Sequence, residues 1–269
     1  MKPSKWDRRV QRAAELQTVY PFAAEVLQFY RHLAEFQRKL YSSFEEINGN
    51  GSVRRVSRLS DEDLKLQFLL PKFRDFLSCM EAISPRPLAQ SARQLGGEQP
   101  SRWEELLSNY WAGEIHSDVC DAQSLLARAF VQPYAESVAD HAECAKDNAT
   151  SAICPFCCSK PLLGVLRPEG DGAKRSLVCS LCMTEWNYGR IRCAACGEEA
   201  VEKLAVYTSD QFGHVRVEGC DSCRNYIKTI DMTKNGLAVP IVDELATMPL
   251  NLWAQEHHYV KVQPNLLGI

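Results

Sequence analysis

Cys154-Pro155-Phe156-Cys157, Cys179-Ser180-Leu181-Cys182, Cys193-Ala194-Ala195-Cys196 and Cys220-Asp221-Ser222-Cys223 decide how this chain is read. Two residues between paired thiolates let both sulfurs reach one ion from a single tight turn. Two such pairs complete a tetrahedral four-thiolate shell for zinc or iron. One pair of this spacing says little, but four in one segment imply two metal sites. The pairs also repeat, with 21 residues between Cys157 and Cys179, 23 between Cys196 and Cys220, and only 10 between Cys182 and Cys193. This predicts two tandem modules. Site 1 uses Cys154, Cys157, Cys179 and Cys182; site 2 uses Cys193, Cys196, Cys220 and Cys223. An interleaved, cross-brace pairing stays open, although the short gap suits a linker between self-contained units. Leu162–Leu166, Leu204–Tyr207 and His214–Val217 have strand character. Knuckle, hairpin, knuckle is the plan of a zinc ribbon or rubredoxin.

Disulfides and redox dithiols are the competing uses of these cysteines. Met1 to Tyr20 is polar and charged, without the apolar core of a secretory signal. The expected location is therefore cytoplasmic, where thiols stay reduced. A thioredoxin-like reading needs a Cys-x-x-Cys that opens a helix in a βαβ unit, and that context is missing. A module of about 40 residues buries too little core to fold alone, whereas a four-cysteine zinc site supplies on the order of 10 kcal/mol. Tetrahedral thiolate suits iron and zinc alike, so the ligands do not choose between them.

The remaining composition narrows the partners. The 269 residues are 45% hydrophobic with a net charge of −3, and no apolar run approaches a membrane span. Eight thiolates around two divalent ions leave the metal segment acidic, and that field repels phosphate backbones. Neither nucleic-acid binding nor membrane insertion is expected. The Lys174/Arg175 and Arg190/Arg192 pairs read as a solvated face. No Ser/His/Asp arrangement or phosphate-cradling glycine loop is present, so no catalytic residue is assigned and the chain reads as a non-enzyme.

Residues 1–148 read as helical. Lys5–Val19 is amphipathic, and Pro21 suits the first turn of a helix whose apolar stripe runs through Phe22, Val26, Phe29, Tyr30, Leu33, Phe36, Leu40 and Phe44. Asn48–Ser52 reads as a loop, and Ser60–Asp63 as the cap of a helix carrying Leu64, Phe68, Phe73, Phe76 and Leu77, broken or kinked at Pro71. Ser84–Ser101 reads as a linker or long loop. Helix resumes at Trp103–Trp111 and Val119–Tyr134, with a break at Pro133. Pro240–Tyr259 reads as helix, split or kinked by Pro249, with Asp243 and Glu244 in its first turn. The tail after Val260 is expected to be loose. The expected fold is α+β: a helical domain over 1–148, rubredoxin-like modules over 149–187 and 188–236, and a C-terminal helical segment and tail over 237–269.

Several of these stretches resemble one family, the formate dehydrogenase accessory protein FdhE. The resemblance is carried by Cys154-Pro155-Phe156-Cys157, Leu177-Val178-Cys179-Ser180-Leu181-Cys182-Met183-Thr184-Glu185-Trp186, Arg190-Ile191-Arg192-Cys193 and Cys220-Asp221-Ser222-Cys223-Arg224-Asn225-Tyr226-Ile227-Lys228. Asp243-Glu244-Leu245-Ala246-Thr247, Trp253-Ala254, Leu27-Gln28-Phe29-Tyr30 with Gln37, and Gln132-Pro133-Tyr134-Ala135-Glu136 extend it over residues 10 to 260. It implies a cytoplasmic, chaperone-like factor that binds the catalytic subunit of formate dehydrogenase during maturation. It also implies that the eight cysteines hold two Fe or Zn ions and that Trp186 and Tyr226 pack on their modules. Cys158 stands where the family has glycine, so the first knuckle is expected to be strained or to offer an extra thiol. Glu244 and Asn251 stand where Asp is expected, and His258 where Gly is. The competing reading, from the cysteines alone, is a rubredoxin-like electron-transfer or thiol-redox protein. Cys79, Cys120 and Cys144 read as buried apolar residues, and His257-His258 as a solvated helix end.

Overall fold

A computed structural model of the chain describes residues 3–48, 58–113, 121–142, 151–266 and 268. Cys120, Cys144, the boundary expected near 148 and all of the Asn48–Ser52 loop except Asn48 lie outside the described residues.

Among the described residues six helices come first: α1 (Lys5–Val19), α2 (Ala24–Asn48), α3 (Leu66–Ile83), α4 (Arg86–Gly96), α5 (Pro100–Ala112) and α6 (Ala122–Asp140). Ser4 starts α1 with a reciprocal capping box to Asp7. Pro21 opens a short 3-10 turn that leads into α2. The buried face of α2 runs through Leu27, Tyr30, Leu33, Leu40 and Phe44 and continues from the buried Ala23 of that turn, while Phe22 is 48% exposed. Phe22 instead meets Phe212 of the second module edge-on at 6.1 Å. Most residues of α6 are buried, which makes it the central helix of this part.

Four expectations for the helical part are corrected. Ser60 and Asp63 cap only a 3-10 turn, with the Ser60 N–H and hydroxyl both donating to Asp63 Oδ2 at 2.9 Å; α3 starts later, at Leu66. Ser84–Ser101 is no linker, because its breakers sit at helix ends. Pro87 lies in the first turn of α4, Gly97 caps its end and Pro100 opens α5, where a missing N–H costs nothing. Pro71 lies within α3 without ending it, on an exposed face where water can serve the Gln67 carbonyl. Pro133 likewise lies within α6, which begins at Ala122 under an Asp121 cap. The carbonyl that Pro133 leaves without a donor belongs to Ala129, and the buried Gln37 amide donates to it at 2.6 Å.

The strands follow as β1 (Pro161–Glu169), β2 (Gly172–Cys179), β3 (Glu185–Asn187), β4 (Leu204–Thr208), β5 (Val215–Cys220) and β6 (Asn225–Asp231). After them come α7 (Pro240–Ala246), α8 (Met248–Glu256) and β7 (Val260–Lys261). Pro249 therefore sits in the first turn of a second short helix. The strand order is β3-β2-β1-β6-β5-β4, with β7 beside β6. Each module contributes one antiparallel half. The halves join through parallel pairing of β1 and β6, where Gly164 faces Thr229. A Cβ at 164 would drive into the Thr229 hydroxyl, so with any other residue there the seam must shift.

The tail is ordered into the structure rather than loose. The Val262 N–H donates to the Tyr226 carbonyl at 2.9 Å, and Val262, Gln263, Asn265 and Leu266 are buried. Arg128 of α6 holds it by donating to the Pro264 and Asn265 carbonyls at 2.7 and 2.9 Å. The main core is continuous from the helices into the first module and α7.

Candidate metal centres

Each Cys-x-x-Cys pair occupies a tight turn whose next residue is left-handed: Cys158 (φ 62°), Met183 (φ 58°), Gly197 (φ 78°) and Arg224 (φ 58°). At Cys158, Gly197 and Arg224 that residue donates its N–H back to the carbonyl of the first cysteine, at 3.0, 3.1 and 2.8 Å. Backbone N–H groups also point at the sulfurs, with Leu181 and Ala195 each 3.3 Å from Cys179 Sγ and Cys193 Sγ. The turn thus aims both thiols inward and supplies donors to them.

These turns gather the sulfurs into two sets of four, each within 4.8 Å: Cys154, Cys157, Cys179 and Cys182, then Cys193, Cys196, Cys220 and Cys223. The observed arrangement is tandem, not interleaved. Cys154 and Cys182 sulfurs lie 3.6 Å apart, Cys157 and Cys179 3.2 Å, and both Cys193–Cys223 and Cys196–Cys220 3.7 Å. A tetrahedron with metal–sulfur bonds of about 2.3 Å has edges of about 3.8 Å. The donor set and its spacing therefore fit an ion with four thiolate ligands in both modules. Cys158, half-buried, is not among the four sulfurs of the first set.

The electrostatics agree with that fit. Burial pushes the Cys179 and Cys182 thiols up, while hydrogen bonds with Cys154, Cys179 and Cys182 draw Cys157 down. In the second set burial pushes Cys193 up to about 12 and raises Cys220. Cys223 is held below its ordinary value, because hydrogen bonds from Asn225 and the neighbouring sulfurs outweigh its burial. The protein's own groups favour the thiolate at Cys157 and Cys223 and oppose it at Cys179, Cys182, Cys193 and Cys220. Four deprotonated sulfurs in one place require a cation.

The two centres differ in their surroundings. The first is locked against the helices. Gln132 of α6 donates to the Ser180 carbonyl at 3.1 Å, inside the Cys179–Cys182 turn. The Leu59 N–H donates to the Phe156 carbonyl at 2.7 Å, inside the other turn. Trp186 is buried beside them, its indole N–H on the Ser151 carbonyl at 3.2 Å. The second centre lies nearer the surface, with Cys196 exposed and Cys223 half-buried. Tyr226 is buried between its sheet and α8, with Val217, Ala254 and Tyr259.

Several buried charges go unread in the sequence. Asp243 does more than serve a helix start. It accepts from the Val239 N–H at 2.8 Å, from Arg12 of α1 at 3.0 and 2.6 Å, and lies 2.8 Å from His214 Nε2. Burial raises its pKa, but His214 and Arg12 more than offset that and hold it below the usual carboxylate range. One carboxylate thereby ties the first helix, the second module and α7 together. Glu244 is fully buried, 2.9 Å from Lys228 Nζ, and also bonds Lys261 and, at 3.0 Å, Asn265. Burial opposes its ionisation, yet Lys228 and Lys261 prevail and bring its pKa down to about 2. Arg175 is no surface residue: it is buried, donating to the Gly189 carbonyl at 2.8 Å and to Glu218 at 2.6 Å. His257 and His258 are exposed as expected, and His258 has a positive φ of 62°, which accounts for the glycine expected there. Arg9 and Glu136 form a buried bidentate pair at 2.9 and 2.8 Å. Glu136 stands in the Gln132–Glu136 stretch of the resemblance, which is the one available sign of it.

Among the described residues no helix is long and apolar enough to cross a membrane. A helical part packed on a sheet that carries two tandem four-cysteine modules defines an α+β, rubredoxin-like class whose cysteines can hold metal ions. The FdhE central-domain model matches residues 153–190, and the FdhE C-terminal-domain model matches 191–267. An FdhE homolog of Aquifex aeolicus is 27% identical over 265 residues, covering 94% of this chain and 92% of that one. The Pseudomonas aeruginosa homolog is 34% identical over 128 residues, 45% of this chain and 41% of its own. The crystal structure of the Pseudomonas aeruginosa FdhE protein shares the fold, with a TM-score of 0.71 at 23% identity over 99% of this chain and 97% of that one. The two FdhE domain matches, the similarity to FdhE homologs and the shared fold together support the FdhE family for this chain.

Proposed function

We propose that this protein is a non-enzymatic, cytoplasmic accessory factor that binds the catalytic subunit of formate dehydrogenase and holds it during maturation. Similarity to FdhE homologs and to both FdhE domain models supports the formate dehydrogenase accessory role. The observation that carries the reading further is the pair of four-cysteine clusters built into one sheet and, at the first, bolted to the helical domain. Such sites fix a surface rather than perform chemistry on a substrate. The eight cysteines hold two ions, Fe or Zn, which supply structural cross-links between knuckles. The proposed units are 1–148, 149–187, 188–236 and 237–269. The exposed Cys196 favours a second reading, in which an iron-loaded second site passes single electrons as rubredoxin does.

The test is capture of the tagged protein from anaerobically grown, formate-metabolising cells, followed by identification of what co-purifies. The expected result is a formate dehydrogenase catalytic subunit that is lost on Cys182→Ser or Cys223→Ser. Retention of the partner by a metal-free module would overturn the role given to the sites. A lone coloured protein with reversible reduction would favour the electron-transfer reading.

A further inference from the structure

The sheet ends at β4, whose outer edge has no neighbouring strand among the described residues. The Asp221 N–H donates to the Lys203 carbonyl at 2.9 Å, which sets the phase of the antiparallel ladder. Residues 203, 205 and 207 exchange bonds with β5, so Leu204, Val206 and Thr208 turn their N–H and C=O groups outward. Among the described residues the Leu204 N–H is taken by the Val201 carbonyl, and no hydrogen-bond partner meets the Leu204 carbonyl or the outward groups of Val206 and Thr208. Edges of this kind are usually blunted by proline or lysine. β4 reads Leu-Ala-Val-Tyr-Thr and has neither, and Val206 is 54% exposed.

The two faces beside this edge have different chemistry. On the Val206 face a cleft of about 190 Å³ is lined by Arg175, Arg190, Arg192, Arg216 and one carboxylate, Glu218. Glu218 is occupied by Arg175 and Arg216, at 2.6 Å from each. The buried Arg175 Nε has no acceptor among the described residues, and Arg190 is exposed with no ion pair among them. Exposed Ile191 and Val201 complete the walls. On the Tyr207 face, Tyr207 packs on Trp253 with ring centres 4.5 Å apart, beside Leu250 and Val217. One face is basic and the other aromatic and apolar.

We propose that the free edge of β4 is the docking strand for an extended segment of a protein partner. That segment alternates acidic residues, facing the arginines, with apolar residues facing Tyr207 and Trp253. Main-chain bonds to the Leu204 carbonyl and to the N–H and C=O groups of Val206 and Thr208 give affinity, and the two faces give specificity, as in strand addition generally. Surplus arginine selects an acidic occupant over a basic one. Only the source of the segment rests on the accessory-factor reading, because the binding itself is testable with a synthetic peptide.

The probe is a fluorescent peptide of about ten residues alternating Glu and Val, long enough to pair along all of β4. It is titrated against the full metal-loaded chain by anisotropy. A Lys/Val peptide of equal length and a Glu/Val peptide N-methylated on alternate residues serve as controls. The expected result is saturable binding of the Glu/Val peptide, with the Lys/Val and N-methylated peptides weaker by about tenfold or more. Val206→Pro removes an outward N–H without touching the ladder to β5, and Arg190→Glu reverses an exposed charge; each should weaken binding by a similar factor. Should Val206→Pro fail to fold, the N-methylated peptide asks the same question of the unaltered chain. Equal binding of all three peptides, or a concentration-dependent dimer of the chain closing β4 against itself, would overturn the proposal. Failure here together with successful capture of a catalytic subunit would reject the docking strand and leave the accessory role intact.

Discussion

The Gln37 amide serves the Ala129 carbonyl, the acceptor that Pro133 strips of its helical donor. A helix can therefore run through proline when a side chain from the neighbouring helix takes over the missing bond. Gln37→Leu should leave that carbonyl buried and unpaired, lowering stability by about 1–3 kcal/mol. Pro133→Ala in the same background should recover part of the loss, since an alanine N–H restores the internal bond. Urea unfolding of the four-member cycle checks this; additive losses would deny the coupling.

At the seam between the modules, Gly164→Ala should push β1 away from β6 at Thr229 and cost about 1–3 kcal/mol. Thr229→Ala removes the obstructing hydroxyl, so the double variant should be more stable than Gly164→Ala alone. Thermal unfolding reads both, and a silent Gly164→Ala would show that the seam can open without loss.

Cys158 holds a left-handed conformation at φ 62°. Cys158→Gly should relieve that strain and stabilise the fold by up to about 1 kcal/mol, with metal content unchanged because its sulfur is not among the first four. Loss of metal from this variant would instead make Cys158 a participant in the first site.

The sites should release metal in order. Cys196 is exposed, whereas Cys154, Cys179 and Cys182 are buried. With a chelator and an alkylating agent, mass spectrometry should find Cys193, Cys196, Cys220 and Cys223 labelled first. Simultaneous labelling of all eight would mean that the two sites open as one.

Glu244 is ordinarily a carboxyl of pKa 4.5 and is held at about 2 in the folded chain. A depressed acid contributes stability that is complete above its unfolded value and lost as pH falls through the folded one. Stability should therefore drop between about pH 4.5 and 2. Glu244→Gln, less stable at neutral pH, should show a shallower drop in that window. Parallel acid profiles would assign the loss to other carboxylates.

What can be read in advance is local. Four cysteine pairs encode their own turns, Pro21 marks a helix start, and Pro249 marks the split between two short helices. Expectation and structure part where a partner distant in sequence decides the outcome. Pro133 reads as a break because its rescuer, Gln37, is on another helix. Arg175 reads as solvated because Glu218 lies in the other module, and the tail reads as loose because its anchors are Arg128 and β6. Ser84–Ser101 fails for a different reason: proline and glycine count there by position at helix ends, not by composition.

The parallel pairing of β1 with β6 also bears on how the chain is made. Gly164 emerges from the ribosome well before Thr229, with the whole second knuckle-and-hairpin still to come. The first module can close its own hairpin at once, but it keeps an unfilled strand position until the second is synthesised. Translation thus imposes a waiting period on the half of the sheet nearest the helices, and the last strand to arrive in the centre is the one that completes both halves.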